Sequence, residues 1–133
     1  VQREEQFLAC AMNPTGTRGA IACDDGVLRV YELERTEVVI TQRHSYKPCR
    51  SLSYSCGAGF NICTGSDDGT IKFWSSDSGQ LKCTLEAHVS NPQDKSRRIG
   101  RPVNGVSYHK SNYRLASCST DMTVKLWMRK ERK

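Results

Sequence analysis

The stretch Ser66-Asp67-Asp68-Gly69-Thr70-Ile71-Lys72-Phe73-Trp74 has two counterparts in the chain, Cys23-Asp24-Asp25-Gly26-Val27-Leu28-Arg29-Val30-Tyr31 and Ser119-Thr120-Asp121-Met122-Thr123-Val124-Lys125-Leu126-Trp127. Each copy holds an Asp six residues before an aromatic, a turn beside that Asp, and an apolar/basic/apolar run alternating at the period of a strand. Three units in register form an internal repeat, and a repeat limits the possible folds before any single site is considered. Tyr31, Trp74 and Trp127 stand 43 and 53 residues apart, so the repeat is regular once roughly ten inserted residues are set aside.

A unit of about 40 to 45 residues with four short strands and an Asp-Gly-x-Ile-Lys-x-Trp ending resembles the WD-repeat family of β-propellers. The resemblance covers nearly the whole chain, with Glu32, Ser75 and Met128 where the family places its terminal Asp. It implies an all-β fold: part of a propeller, with three blades of four-stranded antiparallel sheet, the last incomplete. Blade one is expected over 6–43, blade two over 44–87, a basic insertion over 89–102, blade three over 103–128 and a basic tail over 129–133. Within blade one, strands are expected at Phe7 to Met12, Gly19 to Cys23, Val27 to Glu32 and Glu37 to Gln42. Blade two follows with Cys49 to Tyr54, Asn61 to Gly65, Thr70 to Trp74 and Leu81 to Leu85. Blade three has Val103 to Tyr108, Arg114 to Cys118 and Thr123 to Met128. Turns fall at Asn13-Pro14-Thr15-Gly16, Cys56-Gly57-Ala58-Gly59 and Lys110-Ser111-Asn112, and the insertion reads as a polar loop. Because closed propellers use roughly four to eight blades, the outer faces of blades one and three lack neighbours, and a longer parent chain is expected.

At 133 residues, with 37% hydrophobic and 26% charged residues, the sequence has the composition of one soluble globular domain. No apolar run reaches the roughly 20 residues of a helical membrane span. Seven cysteines without a Cys-x-x-Cys pair point away from a disulfide framework or a zinc site and toward a reducing, intracellular setting. Lying mostly in expected strands, the thiols read as buried small hydrophobes. The net charge of +6 divides into −3 over residues 1–37 and +9 over 38–133.

Blade two contains His44, Thr64, Asp68 and Trp74; blade three contains His88, Ser117, Asp121 and Trp127. A His, a hydroxyl and an Asp suggest a nucleophilic triad, but an active site has no reason to recur once per repeat. A structural relay does: Asp accepts from His, and the chain continues through Ser or Thr to the indole N–H. This arrangement resembles the family's structural tetrad. In blade one Ile21 and Tyr31 replace the hydroxyl and the Trp, so that relay is incomplete. His109 reads as an exposed turn residue, and Gly57-Ala58-Gly59 as a turn, since strand rather than helix follows it. The sequence contains no Gly-x-x-x-x-Gly-Lys, His-Glu-x-x-His or Gly-x-Ser-x-Gly motif. No catalytic residue, metal or cofactor is therefore assigned.

The resemblance implies a non-enzymatic scaffold binding proteins of a multi-subunit complex through the face that carries the connections between blades. Lys47, Arg50, Asp24, Asp67, Arg101, Asn104 and Thr120 are expected on it. A second reading is contact with RNA or ribonucleoprotein through Lys95, Arg97, Arg98 and Arg101 of the insertion and Arg129, Lys130, Arg132 and Lys133 of the tail. It is supported by a resemblance to propeller subunits of nucleolar ribosome-assembly complexes, cirhin among them, and favours a nuclear or nucleolar location. A third, substrate receptor of a ubiquitin ligase, ranks last because Trp127-Met128-Arg129-Lys130 lacks the Asp of a Trp-Asp-x-Arg motif.

Overall fold

The computed structural model describes residues 5–55, 61–109 and 114–128. The turns expected at Cys56-Gly57-Ala58-Gly59 and Lys110-Ser111-Asn112, and the tail with Arg129, Lys130, Arg132 and Lys133, lie outside the described residues. The first sheet contains β1 (Phe7–Met12), β2 (Arg18–Cys23), β3 (Val27–Glu32) and β4 (Glu37–Arg43), antiparallel and in chain order. The second repeats this order with β5 (Cys49–Tyr54), β6 (Asn61–Ser66), β7 (Ile71–Ser75) and β8 (Leu81–Leu85). After β9 (Val89–Ser90) and β10 (Ile99–Gly100), the third sheet is built of β11 (Val103–Tyr108), β12 (Arg114–Ser119) and β13 (Val124–Met128). Each strand read from the repeat is present within one residue of its expected bounds.

The alternation that marks the strands also decides which faces are buried. In β3, Leu28 and Val30 are fully covered and join Ala20, Ala22 and Ile40 against Leu52, Tyr54, Ile62 and Trp74 of the second sheet. Cys63, Ile71, Ala87, Val103 and Leu115 form the next layer, between the second and third sheets. The middle sheet is therefore covered on both sides, and all six residues of β6 are buried. In the third sheet β12 alternates instead, with Leu115 and Ser117 inward and Arg114 and Cys118 outward. Each fully buried Leu or Ile contributes roughly 1.5–3 kcal/mol relative to exposure. Hydrogen bonds link the layers: Ser51 Oγ donates to the Val103 carbonyl at 2.9 Å, and Arg18 Nη1 to the Ser76 carbonyl at 2.9 Å.

Two expectations are corrected. The insertion is not an irregular loop throughout, because β9 and β10 pair as an antiparallel ribbon, Ile99 opposite Ser90 and Gly100 opposite Val89. Its connecting turn is closed by Asn91, at φ 53°, whose carbonyl accepts from the Asp94 N–H at 3.1 Å. The thiols divide: Cys23, Cys49 and Cys63 are buried, whereas Cys10, Cys83 and Cys118 are exposed. Cys10 and Cys118 lie in the two outer sheets and Cys83 in the outermost strand of the middle one, where strand alternation gives no neighbouring layer to cover them. On the third sheet Val124, Leu126 and Met128 are exposed, since no layer packs beyond β13 among the described residues.

The turns between the second and third strands of each sheet share a left-handed residue: Gly26 at φ 82°, Gly69 at φ 86° and Met122 at φ 68°. At Gly26 a Cβ would run into the Ser45 carbonyl, and at Gly69 it would lie 2.5 Å from the His88 carbonyl oxygen, so both turns press directly on the connection to the next sheet. Met122 is 92% exposed and has no such neighbour. Gly69→Ala should therefore cost about 1–3 kcal/mol, from strain and a backbone clash together, while Met122→Gly should change stability by less than about 1 kcal/mol. Urea unfolding of the two variants beside the parent checks this; equal effects would contradict the packing described.

Candidate functional site

His44 and His88 each lie on the connection into the sheet that follows, and both are almost fully buried. His44 Nδ1 meets Thr64 Oγ1 at 2.6 Å, and Trp74 Nε1 donates to that same hydroxyl at 2.9 Å. Its Nε2 meets Thr70 Oγ1 at 2.7 Å, and the Thr70 hydroxyl donates to Asp68 Oδ1 at 2.6 Å. The direct His44–Asp68 separation is 3.8 Å, too long for a hydrogen bond. The expected four-residue relay thus has five members here, with Thr70 inserted. The donors and acceptors run one way: indole N–H to Thr64, Thr64 to Nδ1, Nε2–H to Thr70, Thr70 to the carboxylate.

In blade three the carboxylate reaches the ring directly. Asp121 Oδ2 lies 2.8 Å from His88 Nδ1, while His88 Nε2 meets Ser117 Oγ at 2.9 Å and Trp127 Nε1 donates to Ser117 Oγ at 2.9 Å. Thr123 Oγ1, the counterpart of Thr70, stands 3.1 Å from Nδ1 and donates to Asp121. Blade one uses an ion pair instead. Arg29 Nη2 lies 3.0 Å from Asp25 Oδ2 and 3.5 Å from Glu5 Oε2, and Arg29 Nη1 is 3.1 Å from Cys23 Sγ. Asp25 therefore keeps a partner within its own sheet, and the incomplete relay leaves no unpaired carboxylate.

The electrostatics follow from burial and these partners. Burial pushes the His44 imidazole down to about 4, with the Asp68 charge opposing and Lys72 adding to the drop. For Asp68, burial raises the carboxyl but the bonds from Thr70 outweigh it, so the net shift is down. At Asp121 burial likewise works upward, and the hydrogen bonds from Thr123 and His88 overcome it, holding the acid at about 2. Thr64 and Ser117, the hydroxyls a triad would use as nucleophiles, are sealed from solvent and already bound to an indole N–H. Burial also pushes the Cys49 thiol up to about 12 and the Cys63 thiol further, away from the reactive thiolate. Among the described residues no group of three or more His, Cys, Asp or Glu is placed to hold a metal ion.

The expected contact residues gather where the turns and connections meet. Arg50 and Asp67 bind each other through a two-pronged pair, Nε to Oδ1 at 2.7 Å and Nη2 to Oδ2 at 2.9 Å. Asp24 accepts from the Gln6 backbone N–H at 3.1 Å. Lys47, Arg101, Asn104 and Thr120 are exposed. Strand pairing explains Arg50 and Asn104: the ladders skip a residue between Cys49 and Ser51 and between Val103 and Gly105, so each sits on a β-bulge, a device that redirects a side chain at a sheet rim. Among the insertion cations, Arg98 Nη2 lies 2.7 Å from Glu86 Oε2 and Arg97 Nε 3.8 Å from Asp94 Oδ2, while Lys95 and Arg101 are exposed. His109 is exposed, as read from the turn.

Three features escaped the sequence reading. Thr70 and Thr123 stand two residues after the relay Asp, where blade one has Val27, so the pattern Asp-x-Thr was an available signal. Lys72 Nζ donates to the His44 carbonyl at 2.7 Å and Lys125 Nζ to the Ala87 carbonyl at 2.6 Å, so the basic residue of each later repeat ties its strand to the incoming connection. Tyr46 is 90% exposed, with the Arg43 guanidinium 4.7 Å from its ring centroid.

Comparison with known proteins agrees with this architecture. The family description "WD domain, G-beta repeat" matches residues 36–75 and 79–128. Among curated proteins the chain is 42% identical over 67 residues to the nuclear distribution protein nudF 2 of Aspergillus clavatus, covering 50% of this chain and 14% of that protein. It is 39% identical over 66 residues to the nuclear distribution protein PAC1 of Tuber melanosporum, covering 50% of this chain and 13% of that one. The chain thus spans about a seventh of the length of the curated relatives it matches. A chain of a crystal structure of the mitotic checkpoint complex superposes on 96% of this one with a TM-score of 0.78 at 18% identity, the match spanning 36% of that chain.

Two measurements probe the relays. Thr70→Val removes the hydroxyl between His44 and Asp68 and should cost about 1–3 kcal/mol; Thr123→Val should cost less than about 1 kcal/mol, because Asp121 still reaches His88. The second concerns pH. The His44 contribution should be whole above pH 6.5, its ordinary value, and be lost as the pH falls toward about 4, because the unfolded chain takes up the proton first. The Asp121 contribution should persist to lower pH, being lost only between 3.8 and about 2. Melting temperatures should fall from pH 7 to pH 4, and His44→Gln should flatten that dependence.

Proposed function

Because the chain belongs to the WD-repeat family of β-propeller proteins, matched over 36–75 and 79–128, we propose that it is a non-catalytic scaffold assembling proteins through the face where the turns and blade connections meet. The observation that carries this reading is the combination of buried relay histidines beneath and polar side chains reaching solvent above. His44 and His88 anchor the connections from within, so Lys47, Arg50, Arg101 and Asn104 are presented on a backbone that is already ordered. A preorganised surface loses less conformational entropy on binding.

The proposed partners are proteins of a multi-subunit complex within the cell, with a nuclear or nucleolar location as the corollary of a ribosome-assembly role. Among the described residues, direct contact with RNA draws support from Lys95 and Arg101, since Arg97 and Arg98 already lie beside carboxylates. No observation favours the ubiquitin-ligase reading.

Arg50→Ala with Asn104→Ala should weaken recovery of protein partners from the full-length protein about tenfold, roughly 1.4 kcal/mol, with stability changed by no more than about 1 kcal/mol. Replacing Lys95, Arg97 and Arg98 by Gln should hardly move the salt dependence of that binding. A slope of log affinity against log salt that became shallower by about one unit per lost contact would instead assign the surface to phosphate. Undiminished recovery in both variants would remove this face from the reading.

A further inference from the structure

The loop face carries a strip of side chains whose chemistry the scaffold reading leaves open. At one end the connection Arg43 to Lys47 is held rigidly. Arg43 Nη1 donates to the Asp25 carbonyl at 2.7 Å and lies over the ring of Tyr46, while the Lys47 N–H donates to Ser45 Oγ at 3.1 Å. This connection touches the adjacent turn, where Ser45 Oγ and Ser66 Oγ are 3.0 Å apart and the Asp67 N–H donates to the Pro48 carbonyl at 3.0 Å. That turn in turn touches the β9–β10 ribbon: Gly100 packs so closely on the Asp68 carbonyl that no side chain fits there, and the Arg101 N–H donates to the His88 carbonyl at 3.0 Å. The strip is thus continuous from Tyr46 across the Arg50–Asp67 pair to Ile99 and Arg101.

Its charge is unbalanced. Arg43, Lys47 and Arg101 have no carboxylate within ion-pair distance among the described residues, whereas Arg29, Arg50, Arg97 and Arg98 all do. Beside these cations two large side chains are open to solvent, Tyr46 at 90% and Ile99 at 52%. An exposed Tyr on an ordered loop flanked by cations has the composition of an interface anchor. Unpaired cations call for an acidic partner, and apolar anchors for side chains between the acids.

Resting on the scaffold reading, we propose that this strip binds an extended acidic segment of a partner protein, with carboxylates on Lys47 and Arg101 and an apolar residue against Tyr46. A polyphosphate chain fits less well. The Arg50–Asp67 pair in the middle of the strip carries no net charge to meet a phosphate repeated at every nucleotide, whereas a peptide can place a neutral side chain there.

The test uses the full-length protein and two probes in fluorescence anisotropy. One is a fluorescein-labelled peptide of three Glu-Glu-Ala-Leu repeats, the other a labelled decauridylate. The peptide should bind, and Lys47→Glu with Arg101→Glu should weaken it at least tenfold. Tyr46→Ala should weaken it several-fold at unchanged ionic strength, without changing the salt slope. All three positions are exposed, so unchanged melting temperatures serve as the control that folding is intact. Peptide affinity unaffected by both variants, or no peptide binding at all, overturns the proposal. Tighter binding of decauridylate than of peptide overturns it in favour of nucleic acid. If the peptide arm fails while Arg50→Ala with Asn104→Ala still weakens partner recovery, the scaffold reading survives and only the acidic-segment assignment falls.

Discussion

A buried imidazole has two ring nitrogens to satisfy, and in this chain that requirement organises the contact between successive blades. His44 and His88 lie on the connections yet are sealed from water, so each must find partners on the sheet it enters. Those partners come from two places, a hydroxyl of the second strand and an Asp or Thr in the turn that follows it. One side chain therefore holds a connection, a strand and a turn at once, and a lost partner would leave a buried group unpaired at about 1–3 kcal/mol.

The relays differ in how the acid is reached, and the difference has a geometric origin. In blade two the Thr70 hydroxyl comes between ring and carboxylate, whereas in blade three Asp121 reaches the ring and Thr123 supports it from the side. Blade one has no such His among its described residues, and an Asp25–Arg29 pair occupies the acid within a single sheet. Lys72 and Lys125 reinforce the arrangement by binding carbonyls of the incoming connections. The outcome is a rim of turns whose backbone is tied from below, with its exposed side chains carrying the differences between blades.

On the proposed reading, that division separates stability from recognition. The histidines and the hydroxyls of Thr64, Thr70 and Ser117 within the relays are inaccessible and already committed, so substitution there acts on folding. Arg50 and Asn104 belong to the other class, because β-bulges turn them out of the ladder at the start of each inner strand. Tyr46 and the cations around it lie on the same rim, supported by ordered connections rather than by packing of their own.

The repeat itself was legible from sequence. Strand bounds followed from alternation, and the relay members from the fixed offsets of Thr64, Asp68 and Trp74 and of Ser117, Asp121 and Trp127, because periodicity and offset are properties a linear chain displays directly. Composition and alternation could not say which thiols are covered: Cys63 and Cys118 occupy similar strands, but one lies in a sheet packed on both sides and the other in a sheet packed on one. Nor did the local pattern reveal that the 89–102 segment carries a ribbon, since a pair of two-residue strands is too short for periodicity to register. The insertion of Thr70 between His44 and Asp68, the internal pairing of Arg50 with Asp67, and the lack of a carboxylate beside Lys47 and Arg101 among the described residues were decided by the tertiary structure alone. Each depends on whether polar atoms come within about 3 Å of one another once the strands and connections are packed, and hydrogen bonds and ion pairs are steeper functions of distance than any sequence pattern can encode.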